Sequence, residues 1–188
     1  MSLSTWQQVL ISAQVAGGTL SDSATPTSLL PGQAKYTLPP NTLSVGEILR
    51  ITGAGQISNV VTTPGTITLD IRFGTTVVFN GAAVQLSTQA NTTVPIWWKI
   101  LMTCRAIGSG TTANFMGQGI VKSLSTVATA TGNNTVSHNV ILMPNATPAV
   151  GSGFDSTIAN VIDQFATFSV TTDPTNFTLQ QWVLEYLN

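Results

Sequence analysis

"TPGTITLDIRFGTTVVF", residues 63–79, contains the strand pattern that decides the fold class. Every second residue from Ile67 to Phe73 is apolar, and the residues between them are Thr, Asp and Arg. Because successive side chains of a β-strand point to opposite faces, this alternation predicts a strand with one face on the core. Asp70 and Arg72 then lie on the outer face, which we expect to be a solvated or subunit-facing sheet surface rather than an active site.

Similar runs follow one another along most of the chain, separated by clusters of Gly, Pro, Asn and Ser that are typical of turns. They are AKYTL, GEILRITGAGQIS, GTITLDIRF, TTVVF with AAVQLST, VPIWWKILMTCRAI, TANFMGQGIVKS, HNVILM, QFATFSVTT and FTLQQWVLEYL. Short strands at this spacing predict an all-β sandwich or barrel and exclude a parallel doubly wound sheet. One segment, DSTIANVIDQF (155–165), also has helical spacing, so we expect a short helix or a single turn there.

The first 30 residues differ from the rest of the chain. A short apolar patch is followed by the small-residue stretch AGGTLSDSATPTSLLPG. We therefore predict two regions, an N-terminal arm (1–30) and one β domain (31–188). The patch is a candidate anchor on a neighbouring subunit, although an ordinary first strand is an equal alternative; its residues are Trp6, Val9, Leu10 and Ile11.

The charge composition excludes some partners. Only 7% of the residues are charged, and six basic against seven acidic residues give a formal net charge of −1. Such a chain is not expected to bind nucleic acid, because it has no excess of positive charge to attract phosphates. Near-zero net charge fits a protein whose surface is covered by neighbours in an assembly. No signal-peptide or membrane-span pattern is present, so we expect synthesis in the cytoplasm and no membrane partner.

The sequence contains no pattern for catalysis or for a cofactor. One Cys and one His do not suffice for a transition-metal site, and His138 is accompanied by no Gly-x-Ser-x-Gly turn. Cys104 lies in an alternating apolar run and is interpreted as a small buried hydrophobe. The Gly-rich GAG, GQG and GSG segments lack phosphate-loop spacing and are interpreted as bends or bulges. We expect no enzyme activity, no cofactor and no metal.

The stretch IWWKILMTCRAI, residues 96–107, predicts a strand with two unlike faces. The core face carries Trp98, Ile100, Met102, Cys104 and Ala106. The other face mixes Trp97 and Leu101 with basic residues, which suggests a surface half covered by a neighbouring subunit or loop. Trp97 is therefore the fifth candidate interface residue.

Residues 35–188 resemble a type of jelly-roll protein common among tailed-bacteriophage structural proteins. The segments that carry the resemblance are YTLPPNTLSVGEILRITGAGQISNVVTTPGTITLDIRFGTTVVF, WWKILMTCRAIG, FMGQGIV and FTLQQWVLEYLN. The resemblance implies a jelly-roll β-sandwich of two antiparallel sheets. It also implies a virion component of the capsid decoration or cement type, which binds the major capsid protein as a homo-oligomer, often a trimer.

Two functions therefore remain open from the sequence. The first is stabilisation of an assembled phage capsid from its outer surface by burial of protein interface. The second is recognition of host carbohydrate by a tail- or fibre-associated jelly roll, in which Trp97 would stack on a sugar ring.

Overall fold

The computed structural model describes residues 6–60, 62–127, 140–171 and 174–187. These residues form strands and one 3₁₀ turn, Gly32–Ala34. The strands are β1 (Gln7–Ser12), β2 (Thr19–Ser21), β3 (Thr27–Ser28), β4 (Tyr36–Leu38), β5 (Ile48–Asn59), β6 (Thr66–Phe73), β7 (Thr76–Asn80), β8 (Val84–Leu86), β9 (Asn91–Ala106), β10 (Asn114–Ser123), β11 (Thr126–Val127), β12 (Val140–Met143), β13 (Asn160–Phe168) and β14 (Asn176–Leu187).

The strands pair into two sheets. The first has the order β1-β14-β5-β9-β10-β12, with β2 also paired to β14. The second has the order β11-β8-β6-β13-β3, with β4 on β13 and β7 on β6. Every pairing between the described strands is antiparallel. The predicted all-β sandwich is confirmed, whereas the jelly-roll connectivity stays a prediction; His138 lies outside the described residues.

The core lies between the two sheets, where the predicted alternation places it. Ile67, Leu69, Ile71 and Phe73 of β6 are all buried. In β9 the inward row from Trp98 to Cys104 is fully buried, which confirms the interpretation of the cysteine as a small core residue. Burial of these apolar side chains supplies the main favourable contribution to folding.

Gly53 makes room for the largest side chains of the core. It lies opposite Trp98 on β9 and opposite Trp182 on β14, so a glycine separates two buried indoles in one row across the first sheet. A Cβ atom at Gly53 would lie 2.2 Å from the Trp98 ring. A Cβ atom at Gly117, in the GQG segment, would likewise lie 2.2 Å from the Phe79 ring. These two glycines accommodate aromatic rings, so the prediction of bends or bulges is wrong for them.

Trp98 also links the two sheets by a hydrogen bond. Its indole Nε1 donates to Oε1 of Gln164 on β13 at 3.3 Å, and Gln164 Nε2 donates to the carbonyl of Asp70 on β6 at 3.1 Å. Trp98 and Gln164 are both fully buried. A buried amide without partners would cost about 1–3 kcal/mol, so these hydrogen bonds are what make Gln164 compatible with the core.

The described part of the predicted arm is integrated in the sandwich. β1 and β2 both pair with β14 in the first sheet, and β3 pairs with β13 in the second. Residues 7–12 form an ordinary first strand, which was the alternative to an anchoring arm. The sequence does not reveal these pairings because each joins segments more than 130 residues apart.

Residues 155–165 contain a turn at Ser156 and Thr157 that leads into β13, so the single-turn alternative describes this segment and the short helix is absent from it. Ile162, Gln164, Ala166 and Phe168 form its buried row, while Val161 is 41% exposed. The helical spacing arose because exposed Ile158 lies in the loop before β13, and exposed Val161 lies three residues later on the outer face of that strand. In the part of the chain that the structure describes, no helix is long and apolar enough to cross a membrane.

We expect Gly53→Ala to destabilise the protein by about 1–3 kcal/mol, because the added methyl group overlaps the Trp98 indole and forces the sheet to shift. The control is Gly32→Ala, where a Cβ atom meets nothing within 4 Å. Urea unfolding of both variants gives the free energies of unfolding. Equal stability of the two variants would contradict the packing role of Gly53.

Candidate functional site

The outer face of the first sheet exposes a group of apolar side chains, which we call the β9–β12 face. Trp97 is 36% exposed, Leu101 41%, Val140 47% and Leu142 71%. Strand register places the group on neighbouring strands of one face, with Leu142 opposite Ile120 on β10. Val140 pairs with Lys122, which in turn pairs with Trp97. Apolar side chains grouped in this way on a sheet surface are typical of a site of interaction.

The same sheet face concentrates basic residues. Lys99, Arg105 and Lys122 alternate with the apolar residues, and none of the three has a carboxylate within salt-bridge distance among the described residues. Arg50 adds a fourth positive charge, which is paired with Glu185. Four of the six basic residues of the chain and one carboxylate therefore give this outer face a formal charge of +3, although the whole chain has −1.

Trp97 borders a shallow depression of about 260 Å³ beside the turn after β10. Pro95 and Leu124 form its apolar walls, and its polar side chains are Lys122 and Ser123. Leu124 is 61% exposed. The depression offers few hydrogen-bonding groups, and its composition is typical of a protein contact surface.

The other four predicted interface residues do not form one exposed patch. Val9 points to solvent and is 56% exposed, whereas Leu10 and Ile11 pack against the core. Trp6 is 43% exposed and stacks on Tyr186, with ring centroids 5.4 Å apart. All four lie at the β1 edge of the first sheet, and Trp97 lies toward the opposite edge.

A buried ion pair fixes β1 to the sheet. Glu185 of β14 accepts hydrogen bonds from Arg50 Nε at 2.6 Å and from Arg50 Nη2 at 2.7 Å, and it also accepts one from the side chain of Gln7. These contacts, the Arg50 hydrogen bond above all, hold the pKa of the Glu185 carboxyl below its usual value. The ionised carboxylate thus connects β1, β14 and β5.

The second sheet carries two further ion pairs on its outer face. Asp70 lies 3.1 Å from Arg72, and Asp163 lies 2.7 Å from Lys35. Asp70 is only 6% exposed, and burial raises the pKa of its carboxyl. The Arg72 guanidinium covers the ring of Phe165 at 4.3 Å. The solvated alternative is therefore wrong for Asp70, whereas the alternative of a subunit-facing surface stays a prediction.

An aromatic cleft lies at the β1 edge, where the first strand meets β4 and the end of β14. Trp6, Tyr36 and Tyr186 line it together with Glu47. Burial and a hydrogen bond with Glu47 raise the pKa of the Tyr186 hydroxyl far above its usual value. Sequence analysis missed this site because its residues come from three distant segments of the chain.

The charged residues suggest no metal site. Among the described residues, no group of three or more His, Cys, Asp or Glu side chains is close enough to hold a metal ion.

Comparison with known proteins identifies no family for the chain. No protein-family profile matches it, and no curated protein is similar to it in sequence. A solved structure with a partly similar fold is the CBM2 module of the evolved Dit of Lactobacillus casei BL23 phage J-1. It is 11% identical, with a TM-score of 0.36, and the similarity covers 82% of this chain and 68% of that one.

We expect Glu185→Gln to be less stable than the wild type at neutral pH, because the half-buried Arg50 loses its ionic partner. The pKa of Glu185 is lower in the folded than in the unfolded state, so its contribution is present above the unfolded value and is lost on acidification. The stability difference should therefore shrink below about pH 4. Urea unfolding between neutral and acidic pH measures it, and a difference independent of pH would contradict the ion-pair role.

Proposed function

We propose that this chain is a structural protein of a tailed-bacteriophage virion that decorates the assembled capsid and stabilises it. It acts as a homo-oligomer, with a trimer favoured, and its partner is the major capsid protein. The β9–β12 face is the docking surface. The observation that carries the proposal is the combination of exposed apolar side chains with unpaired basic residues on one sheet face. The resemblance of residues 35–188 to phage jelly-roll proteins supports the virion setting.

The apolar residues of the docking surface supply affinity. Trp97 shares this face with Leu101 and Leu142 within a surface of mixed polarity, which is the usual arrangement of a protein interface with a few dominant anchors. An interface of about 1,000 Å² or more that forms only on the assembled shell stabilises that shell by mass action. Stabilisation of this kind requires no catalysis and no cofactor.

The basic residues determine the chemistry of the partner. Lys99, Arg105 and Lys122 would repel the same residues of a second copy if two β9–β12 faces met around a two-fold axis. An acidic surface on a different protein pairs with them instead. A contact of this face with itself in a second copy is therefore disfavoured, and we assign the β9–β12 face to the capsid protein.

We expect Leu142→Asp to weaken binding to phage heads by at least about tenfold, because a carboxylate replaces an apolar contact at the centre of an interface. The control is Val161→Asp, which places the same carboxylate at an exposed position, 41% accessible, on the second sheet. Co-sedimentation with heads that lack the protein measures the affinity, after circular dichroism has checked the fold of each variant. The docking assignment fails if Leu142→Asp binds like the wild type or if Val161→Asp is equally impaired.

We expect the double variant Lys99→Gln/Lys122→Gln to associate with heads more slowly and with a weaker dependence on salt. Removal of two basic groups reduces the electrostatic attraction to an acidic partner, and salt screens that attraction over about 10 Å at 0.1 M. Association rates measured at several salt concentrations test this. If the wild-type rate is itself independent of salt, the partner surface is not acidic.

A further inference from the structure

The aromatic cleft is separate from the docking surface and is built like a small-molecule site. Its volume is about 360 Å³, which is within the range of pockets that bind small ligands. It lies at the β1 edge of the first sheet, and β10 lies four strand spacings away, about 20 Å. Occupation of the β9–β12 face by another protein leaves this edge open.

The walls of the cleft are held in place by contacts within the protein. Trp6 stacks on Tyr186 with an angle of 30° between the rings, and Tyr186 is itself only 9% exposed. Glu47 is fixed by the backbone N–H of Ser44 and by its contact with the Tyr186 hydroxyl. The ion pair at Glu185 holds β1, and therefore Trp6, against the sheet. A site with such fixed walls binds a ligand at a low entropic cost.

The chemistry of the walls selects the ligand. Trp6 and Tyr36 present aromatic surface, and the polar side chains are Gln8, Thr42 and Glu47. A carboxylate has about four acceptor positions, so Glu47 retains acceptors for ligand hydroxyls beyond its two internal contacts. No Lys, Arg or His is among the residues that line the cleft. Anionic ligands are therefore disfavoured, and a single carboxylate does not make a metal site.

We propose that the aromatic cleft binds a neutral carbohydrate, with a pyranose ring packed against Trp6 and Tyr36 and its hydroxyl groups donating to Glu47. A pyranose combines an apolar face of C–H groups with a rim of hydroxyls, and this matches an aromatic wall beside a carboxylate and an amide. The site extends the proposed function. A capsid-bound protein with this cleft carries sugar-binding sites on the particle surface.

The four tryptophans of the chain provide a direct test by NMR. Their indole N–H signals are recorded while the protein is titrated with neutral oligosaccharides of glucose, galactose and N-acetylglucosamine. Concentrations up to about 10 mM detect millimolar Kd values. Sialyllactose and inorganic phosphate serve as anionic comparisons. We expect at least one neutral sugar to shift the Trp6 signal in a saturable way, while the buried Trp98 and Trp182 signals stay unchanged.

Variants assign the binding to the cleft. Glu47→Gln and Tyr36→Ala should each weaken the titration of the Trp6 signal by about tenfold or more, because one removes a charged acceptor and the other an aromatic wall. The control is Trp97→Ala, which removes an exposed indole from the β9–β12 face. This variant should leave the titration of the Trp6 signal unchanged. Thermal unfolding of each variant checks the fold.

Three outcomes would overturn the proposal: no neutral sugar shifts the Trp6 signal, the Trp97 signal moves instead, or the anions bind as well as the sugars. Binding of the Glu47→Gln variant to phage heads separates this proposal from the docking function. Full head binding together with lost sugar binding means that the two sites are independent.

Discussion

The packing of Trp98 against Gly53 is the constraint on which the rest of the structure depends. Gly53 lets two indoles lie in one row of the first sheet, and the Trp98 hydrogen bond to Gln164 fixes the position of the second sheet. The side chain of Trp98 points into the core. Because adjacent residues of a strand point to opposite faces, the side chain of Trp97 points outward. The proposed docking surface is therefore the reverse side of the strand that organises the core.

Local alternation made much of the fold predictable. Residues 63–79 and 96–107 each bury one row of side chains, and a pattern of period two reports burial of that kind directly. The pattern was ambiguous at Ile158 and Val161, whose exposed side chains imitate a helical period across the start of β13, so the short helix was wrong whereas the single turn is present. The two glycines of the core were also misread, because a gap filled by an aromatic ring on another strand leaves no local signal.

The sites depend on strand order, which the sequence does not contain. Lys99 and Lys122 are 23 residues apart in the chain, yet adjacent strands place them on one face. The composition shows a net charge of −1, but it does not show that one sheet face carries a formal charge of +3. The aromatic cleft required Trp6 and Tyr186 to meet, and this contact exists only because the first strand pairs with the last. The outward position of Trp97 was predictable from the sequence, because the alternation of one strand was enough to reveal it.

The central claim is that the β9–β12 face attaches this chain to the outside of a phage capsid. A cryo-EM reconstruction of particles from a phage that encodes the chain tests this most directly. The account predicts density for the sandwich on the capsid surface, with Trp97 and Leu142 buried against an acidic region of the shell protein and the aromatic cleft open to solvent. Density located only on the tail, or a capsid-bound chain whose β9–β12 face points to solvent, would contradict it.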